Sequence, residues 1–557
     1  MLNGLIMDYQ LTIPTMLRRA EQLHFDREIV TRLPCKTRHC YTYADMVERT
    51  KRLSLALKRL GVQSGDRVGT FCWNHYQHLE AYFAIPSAGG VLHTLNLRLH
   101  PNDLTYIAGH AGDKIVLVDD VLWPLFEKFK DNVPFEHIVV VPTTGKPTPP
   151  GTLNYEDLLA AEDPARFEYP DLDERQAAAM CYTSGTTGKP KGVLASHRAL
   201  VLHSIVNGLA DTQGICESDV TQAVVPMFHA NAWGLPFCCL LVGAKQVFPG
   251  PHLDPQSLLE QMVAERVTVT AGVPTIWLGI LQILDNNPQA YDLSSVRAMV
   301  VGGSAAPPSM IRGFQERHNL NIVHAWGMTE LCPMGTIANL PQRLTGASEE
   351  EKYSFRAKQG RPVPLVEVRG RNENGIIPSD GQTMGELEVR GPWIASSYYE
   401  CPEGSVSFTE DGWFRTGDIV AIHADGCIQL QDRAKDVIKS GGEWISSVAL
   451  ENALMGHPAV AEAAVVPVEH PKWAERPLAV VVLKPNQQAS PQELIGFLAP
   501  QFAKWWLPED VEFVDEIPRT SAGKFLKSAL RERFWNYYSN KGACGVVAPH
   551  AAKPVSA

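Results

Sequence analysis

The chain has 557 residues, 45% of them hydrophobic and 20% charged, and a formal net charge of −11. At ~150 residues per domain this length calls for several packed subdomains of an ordinary globular protein. The acidic balance speaks against nucleic acid or an anionic membrane as the main partner, and eleven cysteines without a C-x-x-C pair indicate neither a zinc site nor a disulfide framework.

No basic residue precedes Arg18 and the chain ends Val555-Ser556-Ala557, so neither a presequence nor a peroxisomal signal is expected. From 43 to 60, apolar Met46, Leu53, Leu57 and Leu60 recur among Arg and Lys and stop at Gly61. That spacing predicts an amphipathic helix with a glycine terminator. Short apolar runs follow at 68–73, 115–118, 138–141, 267–270, 296–301 and 322–324, interleaved with helix-like stretches such as 257–265. Strands alternating with helices predict parallel sheets of the α/β type. The most apolar stretch, 232–244, stops at Lys245 and is too short to span a bilayer, so no integral membrane association is expected.

An apolar lead-in at 177–181 runs into Tyr182-Thr183-Ser184-Gly185-Thr186-Thr187-Gly188-Lys189-Pro190-Lys191-Gly192. Glycines let backbone N–H groups close around an anion; hydroxyls and lysines add donors and charge. The loop reads as a polyphosphate cradle. It is not a Walker A loop, because the glycine interval is too short and Pro190 stands where Ser or Thr is needed. Further on, the run 296–301 leads into Gly302-Gly303-Ser304-Ala305-Ala306-Pro307-Pro308 and a helix from Ser309, which offers backbone donors to a flat or anionic ligand. From Gly426 onward charge packs around 432–436, and the remaining ~100 residues are enough for a small domain. We therefore read 1–432 as one large domain, 433–540 as a smaller domain and 541–557, rich in Ala, Gly, Pro and Val, as a flexible tail.

Five motifs stand in order: the loop 181–192; His324-Ala325-Trp326-Gly327-Met328-Thr329-Glu330; Thr416-Gly417-Asp418; Asp432-Arg433-Ala434-Lys435-Asp436; and Pro518-Arg519-Thr520-Ser521-Ala522-Gly523-Lys524. Together they resemble the adenylate-forming superfamily over nearly the whole chain. Segments 181–203, 227–237, 301–311, 324–336, 432–450 and 470–477 are most similar to bacterial medium- and long-chain fatty acyl-CoA synthetases and methylmercaptopropionate-CoA ligases. The resemblance implies a large domain of parallel-rich sheets flanked by helices, with a small mobile α+β domain. It also implies an acid–thiol ligase that uses ATP, Mg2+ and coenzyme A on a small carboxylic acid. The alternative is an adenylating enzyme that loads an acyl carrier protein.

Carried over residue by residue, the resemblance makes Lys524 the cation that bridges carboxylate and α-phosphate. Glu330 holds Mg2+ together with Thr187, and Thr329 touches phosphate. His229, in Pro226-Met227-Phe228-His229-Ala230-Asn231-Ala232-Trp233-Gly234, borders the acyl and thiol sites. Nucleotide contacts fall on Thr183, Ser184, Gly185, Thr186, Thr187, Gly188, Lys191, Gly303, Ser304, Ala305, Trp326, Gly327, Met328, Asp418 and Arg433. Trp326 replaces the tyrosine more common before that glycine. Trp233, Gly302 and Met334 would wall the acyl pocket and Lys435 would be the hinge. Ser440, Gly441, Gly442, Glu443 and Trp444 would line the CoA tunnel. A cytoplasmic enzyme is the default expectation from the absent targeting signals, and the resemblance implies a homodimer.

Overall fold

The computed structural model describes residues 2, 4–183, 189–440, 443–470, 472–519 and 525–538. These divide into two compact units: 2–416 with 421–430, and 417–420 with 431–519 and 525–538.

The larger unit is built on two sheets. One runs Leu153–Asn154, His137–Val141, Asp113–Asp119, Arg67–Phe71, Val91–Thr94, Ala177–Tyr182, Gly192–Ser196, and only its last pair is antiparallel. The other has nine strands: Arg361–Pro362, Met334–Ile337, Ile322–Gly327, Ala298–Val301, Val269–Gly272, Val220–Ala223, Lys245–Phe248, Glu28–Arg32 and Arg38–Thr42. It is parallel through its middle and antiparallel at both edges. Central strands such as Ala298–Val301 and Val269–Gly272 are buried along their whole length, which is why they read as unbroken apolar runs rather than alternating ones. Three further strands, Glu367–Asn372, Gly375–Ile376 and Met384–Arg390, pair antiparallel.

The predicted helix forms over Tyr43–Arg59. Its start is set by a capping box: Thr42 Oγ1 accepts the Asp45 N–H at 3.2 Å, and Asp45 Oδ2 accepts the Thr42 N–H at 2.8 Å. Such a cap contributes about 1 kcal/mol. Cys72, His75 and Asp119 form a buried cluster with metal-type donors. Hydrogen bonds account for it: His75 Nε2 meets Asp119 Oδ1 at 2.7 Å, and His75 Nδ1 accepts the His78 N–H at 3.2 Å at the start of helix Tyr76–Ser87.

In the smaller unit, strands Val460–His470 and Ala474–Leu483 pair antiparallel, with Val511–Phe513 alongside the second. Successive residues alternate between two cores. Ala463, Val465, Ala479 and Val481 pack with Leu450, Leu454, Leu494 and Leu498. Ala464, Val466, Leu478 and Val480 pack with Ile517 and Leu530. Helices Ser447–Leu454 and Pro491–Leu498 thus supply one core, and Lys527–Phe534 the other. The Lys527 side chain is 11% exposed: its ammonium donates to Glu451 Oε1 and Ser447 Oγ at 2.6 Å each, and Ser447 Oγ donates to Asp432 Oδ2 at 2.6 Å.

Candidate active site

The hydroxyl-and-glycine loop sits on a hairpin, between antiparallel strands Ala177–Tyr182 and Gly192–Ser196, rather than between a strand and a helix. Its base is closed by Thr183, whose N–H donates to the Lys191 carbonyl at 3.0 Å and whose Oγ1 accepts the Lys191 N–H at 3.1 Å. Gly192 packs closely there: a Cβ would lie 2.6 Å from Met180 Cε and 3.2 Å from Tyr399 Cβ. Lys191 Nζ stands 4.7 Å from the centre of the Tyr398 ring. Ser184, Gly185, Thr186, Thr187 and Gly188 lie outside the described residues, as do Gly441, Gly442 and Lys524.

Strand Ile322–Gly327 delivers the second motif, and Thr329–Leu331 forms a single 3-10 turn beyond it. Gly327 is forced by close approach, since a Cβ would sit 1.9 Å from the Pro333 carbonyl oxygen. Trp326 is buried with its ring over Gly335, where a Cβ would lie 2.5 Å from the indole. Glu330 is also buried, and its Oε1 accepts the Tyr398 hydroxyl at 2.7 Å. A buried hard carboxylate fits magnesium, which prefers one or two such oxygens. When bound, magnesium neutralises charge on the polyphosphate. Tyr398 was missed in the sequence, where Tyr398-Tyr399 stands in no motif with a stated role.

Gly302, Gly303, Ser304 and Ala305 turn between strand Ala298–Val301 and helix Pro308–His318, with Gly303 at φ +85° and Ser304 exposed. Gly302 meets the Trp233 ring: a Cβ there would be 3.0 Å from the indole. Trp233 reaches it through an unusual backbone. Ala230, Asn231, Ala232 and Trp233 have φ of 42°, 52°, 50° and 56°, a left-handed turn directly after half-buried His229. Left-handed geometry costs roughly 1–2 kcal/mol per non-glycine residue, and such strain concentrates at functional sites. Asn231 Oδ1 ties the turn to the lead-in strand by accepting the Cys181 thiol at 3.4 Å.

Met334 is buried, and its N–H donates to His203 Nε2 at 3.3 Å. Burial pulls the His203 pKa down to about 4, so the ring is neutral near pH 7. The same ring fills the space beside Gly234, where a Cβ would lie 2.6 Å from Cε1. His203 therefore packs between the Trp233 turn and Met334, a role that its place in an apolar helix gave no sign of.

Asp418, Arg433, Lys435, Ser440 and Trp444 belong to the smaller unit. Asp418 is 1% exposed, and Nε of Arg433, whose side chain is 41% exposed, lies 2.7 Å from its Oδ1. Lys435 is exposed, and its carbonyl accepts from Arg531 Nη1 at 2.6 Å. Of the residues expected to line the CoA tunnel, Ser440 ends strand Ile438–Ser440, which pairs antiparallel with Glu443–Ile445 in register Ser440 to Glu443 and Lys439 to Trp444. Arg476 anchors it, donating to Ser440 Oγ at 3.2 Å, the Leu507 carbonyl at 2.9 Å and Glu509 Oε1 at 2.9 Å.

Lys191, at the end of the hydroxyl-rich segment, thus meets Tyr398, which donates to buried Glu330, and the turn that carries Trp233 lies in the same unit. Residues 17–399 match the AMP-binding enzyme family and 449–524 its C-terminal domain; the chain belongs to that family. It is similar to a long-chain-fatty-acid–CoA ligase of Thermus thermophilus, 50% identical over 96% of this chain and 97% of that one. A medium-chain-fatty-acid–CoA ligase of Ectopseudomonas oleovorans is 42% identical over 95% of this chain and 97% of its own. A 3-methylmercaptopropionyl-CoA ligase of Ruegeria lacuscaerulensis is 42% identical over 95% and 98%. The solved structure of the anthranilate CoA ligase AuaEII with anthranoyl-AMP gives a TM-score of 0.84 at 26% identity, over 96% of this chain and 99% of that one. The chain is an AMP-forming acid–thiol ligase: carboxylic acid, ATP and CoA give acyl-CoA, AMP and pyrophosphate through an acyl-adenylate, with Mg2+. Among the described residues, no helix is long and apolar enough to cross a membrane.

Proposed function

We propose that the acid is a linear aliphatic one of medium to long chain, and that Trp233, Gly302 and Met334 wall its pocket. The observation that carries this reading is the Trp233 indole lying on Gly302, where a Cβ would be 3.0 Å away. An indole packed directly on a glycine makes a flat apolar wall, the kind of surface a methylene chain can lie against. The printed substrates of the Thermus and Ectopseudomonas relatives, long- and medium-chain fatty acids, support it.

In this reading the carboxylate oxygen attacks the α-phosphorus and pyrophosphate leaves. The loop from Thr183 to Lys191 holds the phosphates, Glu330 and Thr187 hold magnesium, and Thr329 touches phosphate. Gly303, Ser304, Ala305, Trp326, Gly327 and Met328 face the nucleotide. Asp418 takes the ribose hydroxyls with Arg433 beside it, and Lys524 brings the two anions together. The CoA sulfur then attacks the acyl carbon and AMP leaves; His229 borders that step, Ser440 and Trp444 lie along the thiol's path, and Lys435 is the pivot between the two reactions. Every described cysteine is free of disulfides, which suits a cytoplasmic enzyme, and we place it there as a homodimer.

Gly302→Val tests the pocket. Added methyls must push the indole aside, and each methylene lost from an apolar pocket is worth about 10–200-fold in discrimination. Across a panel from C4 to C18, kcat/KM for the longest accepted acids should fall about 10–100-fold while C4 changes little. A uniform fall at every length would contradict the assignment of Gly302 to the acyl wall.

A further inference from the structure

We propose that Tyr398 is a positioning residue for magnesium, its hydroxyl setting the Glu330 carboxylate and its ring seating Lys191; this rests on the reading of Glu330 and Lys191 given above. The segment that bears it fastens two motifs far apart in sequence. The Ala395 N–H donates to the Glu330 carbonyl at 2.8 Å, and the Tyr399 N–H donates to the Gly192 carbonyl at 2.9 Å. Tyr398 lies between these two ties. Its hydroxyl donates to Glu330 Oε1 at 2.7 Å, and Lys191 Nζ lies 4.7 Å from its ring centre.

The ring itself is held. Phe408 packs against it at 5.5 Å and 64°, and a Cβ on Gly404 would lie 2.6 Å from Tyr398 Cδ2. A carboxylate oxygen can only accept, so the phenol O–H is the donor in this contact. A donor on one carboxylate oxygen restrains the direction in which the group offers its remaining lone pairs. Partners that orient a metal ligand in this way are worth about 10–100-fold in metal affinity. The π face meanwhile attracts the Lys191 ammonium without discharging it, keeping the cation at the end of the phosphate loop.

The test is Tyr398→Phe, which keeps the ring and removes the hydroxyl, in the full-length enzyme. Mn2+ binding is titrated by electron paramagnetic resonance with α,β-methylene-ATP present, and binding of the analogue without metal is measured in parallel. The expected result is Mn2+ affinity about tenfold weaker, metal-free nucleotide affinity unchanged, and adenylation restored by excess Mg2+. Tyr398→Leu, which removes the ring as well, should also weaken metal-free nucleotide binding. Unchanged Mn2+ affinity in Tyr398→Phe, with a loss in Glu330→Gln, would overturn the role of Tyr398 alone. No loss in Glu330→Gln would overturn the reading of Glu330 and the proposal with it. Equal weakening of nucleotide with and without metal would show a structural defect and overturn it too.

Discussion

Replacing Lys524 by alanine is expected to slow acyl-adenylate formation by about 10²–10³-fold while thioester formation from supplied acyl-adenylate stays near the wild-type rate. Two anions, a carboxylate and an α-phosphate, must approach within bonding distance in the first half-reaction. A cation placed between them acts only while that charge is brought together, so its loss is felt in the transition state rather than in substrate affinity. The second half-reaction joins a thiol to an already neutralised acyl group and has no such requirement. Acid-dependent pyrophosphate exchange reports the first step; single-turnover conversion of synthetic acyl-AMP with CoA reports the second. Equal loss in both would contradict the division of labour assigned to Lys524.

Lys527→Met should destabilise the smaller unit by about 3–5 kcal/mol near pH 8, the usual consequence of removing one partner from a buried ion pair. The methionine fits the volume but strands Glu451 and Asp432, which are 6% and 1% exposed. Burial already pushes the Glu451 carboxyl up to about 7, against the pull of Lys527, and it raises Asp432 as well. Without the ammonium both folded-state values must rise further. A carboxyl whose folded pKa lies above its unfolded value, about 4, is best tolerated when protonated. Its favourable contribution is complete below pH ~4 and is lost as pH rises through the folded pKa, near 7 for Glu451. The deficit of Lys527→Met, read from urea midpoints, should therefore be largest at pH 8 and shrink toward pH 5. A deficit independent of pH would mean that the loss is one of packing.

Much of the frame was legible because local chemistry and global packing agree. The helix from Tyr43 was readable from its apolar spacing, and Thr42 with Asp45 closes its start as a capping box. Strands buried on both faces were readable as apolar runs bounded by glycine and proline. The site was legible only where its residues lie together in sequence, as in the loop to Lys191 and the turn at Glu330. Tyr398 reaches Glu330 across 68 residues, and no spacing rule connects them. His203 looked like one more residue of a buried helix, yet its ring spaces Gly234 from Met334. Nothing in Ala230-Asn231-Ala232 announces a left-handed turn, since alanine disfavours positive φ; the surrounding packing imposes it. No motif singles out Lys527 in the sequence, and only the meeting of Glu451, Ser447 and Asp432 around its ammonium accounts for its place in the smaller unit.

The most direct test is CoA-dependent release of AMP from Mg-ATP across short thioether, C4 to C18 fatty and aryl acids. The account predicts that AMP appears only when acid and CoA are both present, with a maximum among medium to long fatty acids. Acid-dependent pyrophosphate exchange without AMP release to CoA would contradict it and make a carrier protein the acceptor.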